Sequence, residues 1–250
     1  MQENLTKFDL KSIAAYLEKL EEKIIFNLLQ RGQYRVNSCI YQKGKSNFKK
    51  YPQLSLLEIR LKMQEEMDAK FDRFSAPEEK PFNQDLPLKE RDFNYPQKEN
   101  FYLQDFSVIN LTAKIMTFYL KIIPLLCLQG DDKQYGSSVE ADVSCLQAIA
   151  ERIHFASFYV AEAKYREKSS SYQQLIVNKD QNKILKKLTR KEVEINILNR
   201  IEQKAFFYQK HINKKVRHFI EPSFLVKIYQ EMIIPLTKEG EVKYLLQRKI

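Results

Sequence analysis

The run ERIHFASFYVAEAK, residues 151 to 164, reads as helix and carries Arg152 near one end and Lys164 at the other. A guanidinium and an ammonium on one element suit a small polycarboxylate, because charge-assisted hydrogen bonds to carboxylates are the strong ones. Whether both serve one ligand is a matter of angle. They lie twelve residues apart, and at about 100° per residue an unbroken α-helix turns Lys164 about 120° away from Arg152. A single π-bulge would absorb one residue and restore the facing. The spacing therefore predicts two cations that converge if the helix bulges and diverge if it does not.

The elements that must position these charges are helical. The chain has 250 residues, 44% of them apolar, with five glycines and eight prolines. That is enough apolar material for a sizeable core and too few turn formers for an all-β fold, so the expected class is all-α in one multi-helix domain spanning 1–250. Asp9 can cap a helix whose apolar residues Leu10, Ile13, Leu17, Leu20, Ile24 and Leu28 recur at threes and fours, ending near Gly32. Further helices are expected over about 54–74, 107–128 and 139–168. Thr189 with Glu192 reads as the capping box of another, reaching about Lys210. Pro222 starts the last, which should end or kink near Pro235. A proline-rich connection covers about 76–97 and a polar loop about 129–138.

Several function classes recede. Cys39, Cys127 and Cys145 lack metal-ligand or disulfide-framework spacing, so neither a metal site nor a disulfide scaffold is expected, and a reducing, cytoplasmic setting fits. The most apolar run, 115–128, is too short to span a membrane and contains Lys121 and Pro124. The N-terminal residues show no apolar signal region. The net charge of +10 is scattered along the chain, with local clusters in KILKKLTRK (183–191) and KHINKKVRH (210–218), and no nucleic-acid motif accompanies them, so no nucleic-acid partner is expected.

The segments EKIIFNLLQRGQY (22–34), APEEKPF, DFNYPQ (92–97), GDDKQYGSSVEADVSCLQAIAERIHFASFYVAEAKY (130–165) and EPSFLVKIYQEMIIPLTKEGEVKYLLQRK (221–249) resemble the eukaryotic all-helical class of chorismate mutases, in order along nearly the whole chain. The resemblance implies an isomerase that converts chorismate to prephenate, on the branch to phenylalanine and tyrosine, without a cofactor and as a homodimer. It implies that Arg152 binds a substrate carboxylate and that Lys164 and Glu241 donate to the ether oxygen. Thr237 would contact a carboxylate and Glu194 would hold the substrate hydroxyl. Because Glu241 must be protonated to donate, activity should favour mildly acidic pH. His154 is expected to be structural.

Three departures qualify the expectation. Ala14 stands where the family's first helix carries a carboxylate-clamping arginine, which predicts an impaired enzyme or one with rearranged cations. HFASFYVAEAK is one residue longer than the family pattern near Phe158 and Tyr159, which is the residue a bulge must absorb. Arg190, where the family often has asparagine, would either reach a substrate carboxylate in place of the missing charge or, as part of the capping turn, face solvent. Arg73, Gly136 and Ser137 match an aromatic amino-acid effector site, but Asp72 and Glu140 replace its second arginine and its threonine, so control by tyrosine or tryptophan is not expected. The competing expectation is an inactive homologue kept as a helical binding scaffold.

Overall fold

The computed structural model describes residues 8–91 and 101–250, so DFNYPQ lies outside the described residues. These form ten α-helices: α1 Leu10–Arg31, α2 Leu56–Lys70, α3 Thr112–Leu126, α4 Tyr135–Phe155, α5 Ala161–Glu167, α6 Ser169–Val177, α7 Gln181–Leu188, α8 Lys191–Gln209, α9 Pro222–Ile228 and α10 Ile234–Gln247. Single π-helical turns, Ala156–Val160 and Tyr229–Ile233, join α4 to α5 and α9 to α10. Among the described residues the only β pairing is one antiparallel bridge, Leu103 to Arg248, and no helix is long and apolar enough to cross a membrane.

Helix α4 forms the axis of the fold. It is buried over most of its length from Val139 through Ile149 to Phe155, and Asp142, Arg152 and His154 are buried with its apolar residues. Packed on it are α1, α2, α3 and α10. One apolar cluster joins Ile24 and Leu28 of α1 to Tyr119, Ile149 and Tyr229; a second, around the first π turn, joins Phe8, Phe101, Phe155, Phe158, Tyr159 and Tyr244. Gly32 lets the end of α1 approach the later chain, because a Cβ there would lie 2.3 Å from Ile220 Cδ1.

Local chemistry accounts for most boundaries. Asp9 caps α1 by accepting from the Ser12 N–H at 2.9 Å, as its sequence predicts. The second helix is shorter than expected. A reciprocal capping box, Ser55 with Glu58, starts it, and the backbone turns left-handed at Asp72 (φ 63°) before a short 3-10 turn, Arg73–Ser75. The predicted Thr189–Glu192 capping box does not form. Thr189 closes α7, donating its hydroxyl to the Leu185 carbonyl at 2.8 Å, and Arg190 stands at the head of α8 without a side-chain cap. Residues 169–188, for which no helix was expected, form α6 and α7, the latter capped by Asp180. Pro235 does not end the last helix. Its ring would crowd the carbonyl four residues back in a regular α-helix, and the π turn just before it widens the backbone there.

Candidate active site

The first π turn settles the facing of the two cations. It adds its extra residue between Arg152, in the last turn of α4, and Lys164, in α5. Both side chains line one cavity of about 260 Å³, together with Glu241 and Thr237 of α10, Glu194 of α8 and Arg190 at the head of α8. All six residues named from the sequence thus come to one place. So does Ala14, and the α1 wall of the cavity is apolar: Leu10, Ile13, Ala14 and Leu17.

At one end Arg152, 3% exposed, donates through Nη1 to Thr237 Oγ1 at 2.9 Å, and that hydroxyl donates on to the Ile233 carbonyl at 2.7 Å. Among the described residues Arg152 Nε has no hydrogen-bond partner, although it is buried. A buried guanidinium N–H without an acceptor is costly, and an incoming carboxylate would satisfy it. At the other end Lys164 Nζ donates to Glu241 Oε2 at 2.9 Å and to the Leu188 carbonyl at 3.1 Å. Arg190 lies at the rim, half exposed, with Nη2 3.4 Å from Glu167. Four cations and two carboxylates line the cavity when Lys238 is included. This excess of positive charge suits a polyanion.

Two of these partners were not found by reading the sequence. Lys238 sits one residue after Thr237 and holds Glu194 Oε1 at 2.7 Å. Glu21, fully buried in α1, lies 4.0 Å from Arg152 Nη2 while its two oxygens receive Arg200 of α8 at 2.9 and 3.0 Å. Only its position on the buried face of α1 marked it.

Glu162 and Gly240 fix the spacing of the Lys164 and Glu241 helices. The Glu162 carboxylate, fully buried in α5, accepts from Arg248 Nε at 2.7 Å and Nη2 at 2.9 Å, and from the Tyr244 hydroxyl at 2.7 Å. Gly240 packs on the π turn, where a Cβ would lie 1.9 Å from Ser157 Oγ. Between them these contacts set α10 against α5 on both sides of Glu241.

His154 does not line the cavity. Its Nε2 accepts the Leu111 N–H at 3.0 Å and so anchors the start of α3. Burial, aided by the charges of Lys80 and Lys243, lowers its pKa to about 3. The fold thus refuses a proton that the unfolded chain accepts below about 6.5, so this group's contribution is intact above pH 6.5 and is lost as pH falls toward 3. We expect urea unfolding at pH 5 to show about 2 kcal/mol less stability than at pH 7 from this group, read as the difference in pH response between the parent and His154→Gln. Equal pH responses would exclude the assignment.

An all-helical fold with cations and carboxylates converging on a small cavity defines an enzyme of the kind that binds and orients a polyanion. The chain belongs to the chorismate mutase family, and these are isomerases. It is 37% identical to the chorismate mutase of Saccharomyces cerevisiae over 254 residues, covering 97% of this chain and 96% of that protein. It is 37% identical to chloroplastic chorismate mutase 3 of Arabidopsis thaliana over 249 residues, 96% of this chain and 77% of that one. The structure of a Candida albicans chorismate mutase in complex with L-Trp superposes with a TM-score of 0.87 at 36% identity, covering 96% of this chain and 92% of that one. The chorismate mutase AtCM1, with tyrosine bound in its allosteric site, gives 0.85 at 34%, with 96% of each chain covered. No family model matches the chain.

Proposed function

We propose that this chain is an active chorismate mutase, rearranging chorismate to prephenate, with a cation set moved from α1 to α8. The observation that carries this is the convergence of Arg152, Lys164 and Glu241 on one cavity despite the twelve-residue spacing. The reaction is an intramolecular Claisen rearrangement in which the C–O bond breaks as a C–C bond forms. The enzyme has to hold the dianion in a chair-like, diaxial conformer and stabilise negative charge on the ether oxygen. In our reading Arg152 and Thr237 take one carboxylate. Lys164 and a protonated Glu241 donate to the ether oxygen, and Glu194, oriented by Lys238, holds the hydroxyl.

The missing α1 arginine leaves the second carboxylate short of a ligand. Arg190 lines the same cavity, and its distant contact with Glu167 leaves the guanidinium able to turn inward. An inactive scaffold would have no reason to keep the facing of Lys164 through an inserted residue, which favours the enzyme over that alternative. The test is loss of chorismate absorbance from mildly acidic to neutral pH. We expect turnover in the parent and, in Arg190→Ala, a loss of roughly 10- to 100-fold, the size of one charge-assisted hydrogen bond, chiefly in KM. No turnover in the parent would overturn the reading; full turnover in Arg190→Ala would remove the relocation alone.

Effector control is not extended to this chain. Arg73 is held by Asp68 at 2.7 Å and Glu79 at 3.0 Å, and Asp72 is buried beneath it, whereas Gly136 and Ser137 lie exposed in the first turn of α4. We read the protein as a cytoplasmic homodimer; the exposed stripe of Met63 and Met67 on α2, continued by Phe71 at its C-cap, supports the pairing.

A further inference from the structure

Helix α5 carries Lys164 and has only seven residues, Ala161–Glu167, between the π turn and a break at Lys168. A helix that short is not held by its own hydrogen bonds and takes its place from what it packs against. Its buried acid, Glu162, stands two residues before Lys164 and so leaves the helix about 200° away from it. On α10, Tyr244 and Arg248 follow Glu241 by three and seven residues, which keeps all three on one stripe. That stripe is gripped from both flanks of α5: Lys164 takes Glu241, and Glu162 takes Tyr244 and Arg248.

Arg248, at the C-cap of α10, is the firmest part of the grip. Its guanidinium meets both oxygens of Glu162 as a fork, Nε at 2.7 Å and Nη2 at 2.9 Å, and its Cζ lies 3.6 Å from the centre of the Tyr165 ring, also on α5. A bidentate, stacked guanidinium fixes direction as well as distance. The backbone around it is fixed too. Arg248 forms the antiparallel bridge to Leu103, the Lys249 N–H donates to the Tyr102 carbonyl at 2.7 Å, and the Gln104 N–H donates to the Gln247 carbonyl at 2.8 Å. Beside this segment the Phe101 ring meets Phe158 of the π turn at 5.6 Å between centroids. The end of α10 is thus tied to the same turn that brings Lys164 into the cavity.

We propose that Arg248 is a positioning residue for the mutase reaction, its fork on Glu162 and its stack on Tyr165 fixing α5 against α10 and so holding the Lys164 ammonium and the Glu241 carboxyl at one ether oxygen. The inference rests on the function proposed above, which gives that pair its task. Glu162, Tyr244 and Arg248 are not among the residues lining the cavity, so binding through Arg152 and Thr237 does not depend on the clamp. What depends on it is the geometry at the reacting bond, where a misplacement of about 1 Å can cost about 10² in rate. The effect therefore falls on kcat and not on KM.

The experiment compares the parent with Arg248→Lys, which keeps a cation beside Glu162 but not the fork; with Arg248→Met, which removes the charge as well; with Glu162→Gln; and with the double variant Arg248→Met, Glu162→Gln. Each kcat is taken per folded molecule, well below the thermal midpoint. We expect kcat to fall about tenfold in Arg248→Lys and about 10- to 100-fold in Arg248→Met, with KM within about twofold of the parent's. The double variant should lose no more than the worse single, because the two residues form one clamp. A role confined to stability would lower the midpoint and leave kcat per folded molecule unchanged. Hydrogen exchange supplies a readout that needs no turnover: amides 161–167 should lose protection in Arg248→Lys while those of 139–150 do not. A parent without turnover would overturn the function and this role with it. With turnover in the parent, a parental kcat in both Arg248 variants, losses that multiply in the double variant, or unchanged exchange at 161–167 would overturn the positioning role alone.

Discussion

Lys164→Ala abolishes measurable turnover of chorismate while the protein stays folded. Two effects add in that variant. The ether oxygen loses the donor closest to it in charge, and loss of one preorganised donor to developing negative charge costs about 10² to 10³ in kcat. The buried Glu241 carboxylate loses its partner at 2.9 Å, so the second donor is disordered along with the first. Arginine is not a rescue, because a planar fork cannot replace a point ammonium set between Glu241 and the Leu188 carbonyl. Circular dichroism should keep the parent's helical content while the thermal midpoint falls, because the buried Glu241 carboxylate and the Leu188 carbonyl lose their donor. An Ala14→Arg variant run beside it should gain turnover if the α1 wall lacks only charge. Parental kcat in Lys164→Ala would take Lys164 out of the chemistry whatever its place in the cavity.

The same lysine shows what a sequence can and cannot disclose. Twelve residues between two cations is a countable quantity, and it predicts a bulge as the only way to bring them together; the π turn at Ala156–Val160 is that bulge. The apolar period of α1, its Asp9 cap and the break after it were legible for the same reason, being local. What failed was decided by neighbours. Thr189 has the residue pattern of an N-cap, yet α7 ends beside it and takes its hydroxyl first. The short helices α6 and α7 bury few residues apiece, Tyr172 and Ile176 in one and Ile184 and Leu188 in the other, too few to print a period. Glu21 carries no local signal beyond its place on the buried face of α1. It became the counter-charge of Arg152 and Arg200 only once α1, α4 and α8 were packed together.

The largest expected change in stability lies far from the cavity, at Asp142. This carboxylate is wholly buried in α4 and accepts from Arg31 Nε of α1, from the Tyr119 hydroxyl at 2.7 Å and from the Tyr41 hydroxyl at 2.9 Å. Arg31 is equally buried and gives its remaining N–H groups to the Tyr41 hydroxyl at 2.8 Å, to Cys127 Sγ at 3.1 Å and to backbone carbonyls of 34–36. Every polar atom of the pair therefore has a partner, and removing one member strands the other. Asp142→Ala leaves a guanidinium inside an apolar cluster, which costs about 3 to 5 kcal/mol and should lower the urea midpoint accordingly. The double variant Arg31→Met, Asp142→Leu removes both charges and should recover much of that loss, because a buried ion pair can be replaced by packed apolar side chains at little net cost. A double variant no more stable than Asp142→Ala would mean that the network holds α1 in register rather than merely neutralising a charge. In that case turnover should fall with it, since α1 supplies one whole wall of the cavity, Leu10 to Leu17, and Glu21 beside Arg152.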